Sequence, residues 1–381
     1  MRPIFQTEYD QDIRLLRHPG YWWSYGTLLL LALLAPFAVG AYLQSQIIFV
    51  LIYSIVGIGL LILAGFTGQI SLGHAAFLAI GAYTAGYMQA RGVPFLIYLP
   101  LAALLTGAVG AIVGFPALRL SGIYLVIATI AFGFIVEEVA ARWESVTNGN
   151  DGMRIKQIDL FGVTLSRDGY GFYYLCLGLL ILVVLIALNI LRSPTGRAFV
   201  AIRDSETAAR SMGINLAVYK VAAFSISAAV TGLAGCLYAH KLSFISPEMF
   251  TLLLSVEFII VILIGGVGSL HGAVLGSIFV VMVDPFLSYL KDDMPRILGG
   301  LAQAVGAPNA AALQETLSAI ASAAGLKGAI YGVIIVIFII FEPYGLYGRW
   351  LKIRLYFELF PLYKKATFRR QKTYVKSERN R

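Results

Sequence analysis

Long apolar runs separated by short polar clusters make up most of the chain. Runs over 27–43, 46–64, 74–90, 95–117, 122–140, 171–191, 217–240, 251–264, 269–283 and 328–341 are each continuously apolar. About 20 residues at 1.5 Å rise cross the hydrocarbon of a bilayer, so the pattern predicts roughly ten transmembrane helices, some of them short. Barrel strands alternate apolar and polar positions and these runs do not, which excludes a β-barrel. The expected fold is an all-α polytopic membrane protein, with 27–43 as its first, uncleaved span.

Two polar interruptions break this pattern: "TGQISLGH" at 67–74 and "GGVGSLHGA" at 265–273. Both contain Ser-Leu, a Gly/His pair in either order, and then Ala, and the Ser-Leu pairs lie about half a chain apart. Internal duplication is one reading and convergent turn chemistry is the other. Broken helices of corresponding repeats meeting at a central pathway are a transporter architecture. Backbone groups freed by Gly68 and Gly73 cannot face lipid, so the first break is buried or lines a hydrated cavity, where Gln69, Ser71 and His74 can satisfy them. Gln69, Ser71, Gly73, His74, Gly266, Ser269 and His271 are therefore candidate pathway residues. Glu257, inside the 251–264 run, joins them: a charge at mid-bilayer costs roughly 2.5–3.5 kcal/mol, so it must pair with a donor or face the pathway. His74 has two readings, lining the conduit or bonding a freed carbonyl.

Composition agrees with the pattern. The 381 residues are 59% hydrophobic and 13% charged, with mean hydropathy +0.81, far above soluble averages. Charge adds orientation. Residues 349–381 hold eleven Lys/Arg against Glu358 and Glu378, which leaves +9, equal to the formal charge of the whole chain. Beside a span, such a tail reads as a cytoplasmic segment on anionic lipid and not as a nucleic-acid arm. The loop 192–216 carries Arg192, Arg197, Arg203 and Arg210 and is also placed in the cytoplasm, whereas 142–170 is charge-balanced and 285–327 has only three Lys/Arg, so both are placed outside. Ten spans with 1–26 and the tail both cytoplasmic satisfy these assignments. The organisation is one membrane domain, 27–348, with an irregular, Ala-rich outer insertion at 285–327 where Asn309 could cap a short helix presenting Leu313, Leu317 and Ile320. Gly110/Gly114, Gly272/Gly276 and Gly328/Gly332 are spaced for close helix packing.

Catalytic chemistry finds little support. The four histidines are isolated, Cys176 and Cys236 sit in apolar runs as packing residues, and neither a zinc motif, a nucleophile elbow nor a P-loop is present. No metal or bound cofactor is indicated, and any ATP-driven step would use a separate subunit. Glu137 and Glu138, with Arg142 four residues on, read as an interfacial ion-pair cluster.

The loop "SPTGRAFVAIRDSETAARSMGINLAVYK" (193–220) carries the clearest signal. Asp204 is a suitable N-cap, Glu206 suits the helix dipole and Gly213 can end a helix in the left-handed region, predicting a short helix over 205–212. Ala208 and Ala209 would give it a thin surface open to close approach.

The spacing Glu206-Thr207-Ala208-Ala209-x-x-x-Gly213 is similar to the coupling-loop signature of ABC importer permeases, with Thr207 as an extra residue before the alanines. Together with "TGQISLGHAAFLAIGAY" (67–83), "LRLSGIYLVIATIAFG" (118–133), "GRAFVAIRDSETAARSMGI" (196–214) and "GGVGSLHGAVLG" (265–276), it makes the chain resemble the longer permease subunit of branched-chain amino acid ABC importers. The resemblance runs from about 46 to 284 and resumes near 328–350; the 285–327 insertion and the basic tail go beyond the usual pattern. It implies a coupling helix marked by Asp204, Glu206, Ala208, Ala209 and Gly213, in a bacterial inner-membrane importer. Its implied partners are a second permease, two cytoplasmic ATPases that hydrolyse the ATP, and a periplasmic binding protein. Aliphatic amino acids are the implied cargo, with urea, short amides or other amino acids as alternatives. An ion-coupled secondary transporter is the rival from another class, but it should carry Asp or Glu at the helix breaks and neither break has one.

Overall fold

The computed structural model describes residues 19–120, 122–160, 162–304, 326–342 and 344–359. Its helices are α1 (Pro19–Ala38), α2 (Ala41–Leu60), α3 (His74–Ala90), α4 (Phe95–Ala117), α5 (Ile123–Arg142), α6 (Glu144–Thr147), α7 (Tyr170–Arg192), α8 (Pro194–Asp204), α9 (Glu206–Ser211), α10 (Leu216–Leu242), α11 (Leu252–Gly265), α12 (Leu270–Ala304), α13 (Leu326–Phe341) and α14 (Gly345–Leu359). Each of the ten apolar runs holds a helix. Among the described residues seven are long and apolar enough to cross a membrane, and the apolar stretches of α1 and α13 are shorter. This is an all-α, multi-pass membrane fold.

Three expectations are corrected. The run 27–43 is not one helix: α1 ends at Ala38, and extended Gly40 (φ −69°, ψ 164°) caps a new helix, α2. The insertion 285–327 is not irregular throughout, because α12 continues to Ala304; Asn309, Leu313, Leu317 and Ile320 lie outside the described residues, as does the tail beyond 359. Among the described residues Gly328 and Gly332 make no close packing contact, for a Cβ at either would meet nothing within 4 Å.

The other two glycine pairs pack as their spacing predicts. Gly110 and Gly114 lie against Phe224, Ala228 and Val221 of α10, and Gly272 and Gly276 lie against the α11 backbone at Gly265 and Val261. A second close seam joins α3 to α10. A Cβ on Gly81 would stand 2.1 Å from the Gly232 carbonyl oxygen, and one on Gly235 would stand 2.1 Å from that of Leu78. Helix α10 is thereby clamped between α3 and α4, with Phe224, Ala228, Cys236 and Leu237 fully buried. Both cysteines are free and buried.

Outside this core, α1 leans on α7. Pro36 has no N–H to give the Ala32 carbonyl, and the freed acceptor takes a bond from the Tyr173 hydroxyl at 2.6 Å; Tyr174 donates similarly to Leu33 at 2.8 Å.

Contacts sort the connections into two ends. At one end, β1 (Met153–Arg154) pairs antiparallel with β4 (Phe244–Ile245), and β2 (Ile158–Leu160) pairs with β3 (Val163–Leu165). Gln89 Nε2 donates to the Lys156 carbonyl there, and the Lys241 ammonium bonds Asp168 and Ser45. At the other end, a Cβ on Gly65 would lie 3.4 Å from the Gly268 nitrogen, and one on Gly266 would lie 2.8 Å from the Tyr344 oxygen. The loop 193–215 is anchored at this second end.

Candidate functional site

The first interruption is a re-entrant turn. Helix α2 does not stop at Leu60 but widens into a π-helical turn over Leu61–Phe66, a distortion that often marks functional positions. Residues 67–73 then run back into the bundle before α3 begins. The Leu72 N–H donates to Thr129 Oγ1 of α5 at 3.0 Å, the Ala75 N–H to Ser255 Oγ of α11 at 2.9 Å, and His74 Nε2 bonds Ser227 Oγ of α10 at 2.9 Å. Ser227 is eleven residues into α10, about 16 Å along its axis at 1.5 Å per residue. Helix α3 therefore starts inside the bundle and not at its end.

This is how the freed backbone groups are satisfied, and it only partly follows the sequence reading. Ser71 Oγ does accept the Gly73 N–H, at 3.3 Å. His74 bonds a side chain and not a carbonyl, and both amide atoms of Gln69 are buried without a partner among the described residues. Thr129 and Ser255 accept the backbone N–H groups, and Ser227 holds His74. They are small hydroxyls inside apolar runs, and the sequence signal for them was only that a Ser or Thr there must find a partner. Gly73 is fixed by space, since a Cβ would come 2.7 Å from the Thr129 carbonyl.

The second interruption is a tight turn at the same end. Gly266 (φ +112°) turns the chain, and Ser269 Oγ accepts the Gly272 N–H at 3.0 Å in the first turn of α12. His271 points elsewhere: its Nε2 bonds the Tyr25 hydroxyl at 2.8 Å and its ring stacks on Tyr347. Among the described residues no hydrogen bond joins Gly266, Ser269 or His271 to Gln69, Ser71 or His74. The two turns approach each other at Gly65 and Gly268. Glu257 has found a donor, accepting from the Tyr53 hydroxyl at 3.2 Å. Arg142 and Glu138 form the expected pair. A narrow crevice of about 10 Å³ lies beside the α3 start, between Leu72, Ala75, Gly133, Glu137, Thr251 and Ser255.

At this same end stands the loop helix α9, and here the predicted cap is wrong. Asp204 closes α8, whereas Ser205, in extended backbone, caps α9 by accepting the Ala208 N–H. Gly213 does follow the helix at φ +84°, and the Ile214 N–H closes back on Ala209. The two alanines face opposite ways: Ala209 is buried and Ala208 is on the outer surface with Met212. Glu206 bonds the buried Lys220 ammonium at 2.7 Å. Arg203 Nη1 donates to the Gly65 carbonyl at 3.1 Å, joining the loop to the first break. Neither Lys220 nor Arg203 was singled out from sequence, where each counted only as a positive charge.

At the opposite end, the Lys241 ammonium bonds the carboxylate of Asp168, with Ser45 at 2.8 Å. Burial pushes the Asp168 carboxyl up, but the bonds from Lys241 and Ser45 outweigh it and hold it below the usual carboxylate range.

Residues 42–339 match the family of branched-chain amino acid transport system permease components. The high-affinity branched-chain amino acid transport system permease LivM of Escherichia coli K12 is 36% identical over 298 residues, 72% of this chain and 70% of that protein, and LivM of Salmonella typhimurium matches equally. A more distant relative, the autoinducer 2 import permease LsrC of Salmonella typhi, is 27% identical over 51% of this chain and 56% of its own length. No solved structure is matched. A match across most of the chain, over a bundle with two adjoining helix breaks and a loop helix beside them, has one meaning: the chain belongs to the permease-component family of branched-chain amino acid ABC importers.

Proposed function

We propose that this subunit forms half of a translocation pathway for branched-chain amino acids and is driven by ATP hydrolysed on two cytoplasmic partner subunits. A second permease completes the pathway, and a periplasmic binding protein delivers the cargo. The break end faces the cytoplasm of a bacterial inner membrane, with both termini on that side, and the basic tail rests on anionic lipid. The chain binds no ATP itself, since it carries no P-loop. One observation supports this reading most: α9 presents Ala208 and Met212 outward at the very end where both helix breaks lie.

On this reading the ATPases close on ATP and push α9, and the helices attached to its loop reorient around the re-entrant turn. Gln69, Ser71 and His74 border the pathway during the cycle, and Glu257, half-buried in α11, lies further along it. The open concavity of about 490 Å³ at the opposite end, lined by Asn148, Asp151, Met153, Arg154 and Phe244, is the docking face for the binding protein. Substrate choice is left mainly to that protein, because the spans hold no strong amino-acid-binding constellation.

The test uses the reconstituted importer. Ala208→Trp places bulk on an exposed position, so the chain should fold while leucine-stimulated ATP hydrolysis and uptake fall together. Normal coupling in Ala208→Trp would remove α9 as the docking helix. Uptake driven by an ion gradient without any ATPase would support a secondary transporter instead. Ser71→Cys should react with a small water-soluble thiol reagent in at least one nucleotide state; protection in every state would make 67–74 a packed turn and no part of the pathway.

A further inference from the structure

We propose that Arg203 is the positioning residue that carries displacement of the α8–α9 loop into the re-entrant turn, an inference that rests on the importer reading above. The last carbonyls of a helix have no donor within it. Leu63 takes the Gln69 N–H at 3.1 Å and the Thr67 hydroxyl, whereas Gly65 takes Arg203 Nη1 at 3.1 Å. A cation at a helix C-terminus is also favoured by the dipole. The guanidinium is aimed by its neighbour: Nε and Nη2 both bond Asp204 Oδ1, at 3.1 and 3.0 Å, which leaves Nη1 for Gly65. A fork of fixed geometry can hold two partners in register in a way a point ammonium cannot.

Contact continues past the hydrogen bond. Gly68 sits at φ +71°, where a Cβ would lie 3.2 Å from Arg203 Cγ and 3.5 Å from its Cα. The connector thus lies directly on the arginine's stem and backbone. Behind Arg203, α8 is seated firmly: Gly196 abuts the Leu191 carbonyl so closely that a Cβ would stand 2.3 Å away, and Phe199 is fully buried with its ring edge-on to Tyr219. Ahead of it, four residues past Gly68, the Leu72 N–H is bonded to α5. Among the described residues, Arg203 is the side chain whose hydrogen bond joins the loop directly to the break.

The experiment compares wild type, Arg203→Ala and Arg203→Lys in the complete importer, reconstituted with its ATPases, second permease and binding protein. Molecules of leucine transported per ATP hydrolysed are measured, along with co-purification of the ATPases. Arg203→Ala should assemble and hydrolyse ATP near the wild-type rate, with transport per ATP down about tenfold, the scale of one charge-assisted hydrogen bond. Arg203→Lys, which reaches the carbonyl but cannot also grip Asp204, should recover part of the loss. Asp204→Ala should give an intermediate loss by releasing the aim of the guanidinium. An unchanged transport-to-ATP ratio in Arg203→Ala overturns the proposal. So does loss of the ATPases from that complex, which would make Arg203 a docking contact, or no recovery at all with lysine. A wild-type complex that shows no ATP-dependent uptake would instead overturn the importer reading, so the two failures are distinguishable.

Discussion

Helix α10 carries a buried lysine near each end, and the two are held differently. Lys241, its side chain 3% exposed, lies in the last turn, where the helix dipole favours a cation. It has Asp168, Ser45 and the ring of Phe49 around it, and its neighbourhood is tied by two strand pairs. Lys220, 4% exposed, is the fifth residue of the same helix, where the dipole opposes a positive charge. Its partner is Glu206, itself the first residue of a six-residue helix on a loop. One end is redundantly braced, whereas the other hangs on single bonds. Contacts that few can be exchanged, which suits the end proposed to move in the transport cycle.

The largest effect should come from separating the two ends. Gly81→Val sets a branched side chain into the Gly232 backbone, and overpacking of this kind costs about 3 kcal/mol or more. No folded chain should be recovered in detergent, and normal yield and melting would show that α3 and α10 can part without cost. Next, Glu206→Ala strands the Lys220 charge in the protein, at about 2–3 kcal/mol. The matching change, Asp168→Ala, leaves Lys241 with Ser45, Phe49 and a favourable dipole, and should cost only about 1 kcal/mol. Melting of the two purified variants side by side tests the ranking, and equal or reversed losses would dissolve the contrast. The smallest effect is in pH. Because the folded Asp168 pKa is depressed below 3.8, its contribution is complete above that value and is lost as pH falls through the lower folded one. The stability gap between wild type and Asp168→Ala should therefore hold from neutral pH down to about 4 and close only in stronger acid; closure near neutrality would mean that the carboxylate is not held by Lys241.

The bundle could be read from sequence because run length alone measures a bilayer. Its joints could not. Gly40 cuts an apolar run with no polar residue to announce it, and the π-turn over Leu61–Phe66 has the same composition as the helix it ends. The break at 67–74 was legible from Gly68, Gly73 and the polar residues between them. Its partners were not, because Thr129, Ser227 and Ser255 come from three other helices and only the packing brings them together. Asp204 and Ser205 are both good capping residues, and the choice fell to where the buried Phe199 and Ile202 fix the end of α8.

The seam between α3 and α10 has one more consequence. Side chains are the compliant part of a protein interface, able to change rotamer and absorb small displacements. Where Gly81 meets Gly232 and Gly235 meets Leu78 there are none, only main chain against main chain. A shift of a few tenths of an ångström in one helix cannot be lost in such a joint. It is handed on whole, and a machine built around it has almost no backlash.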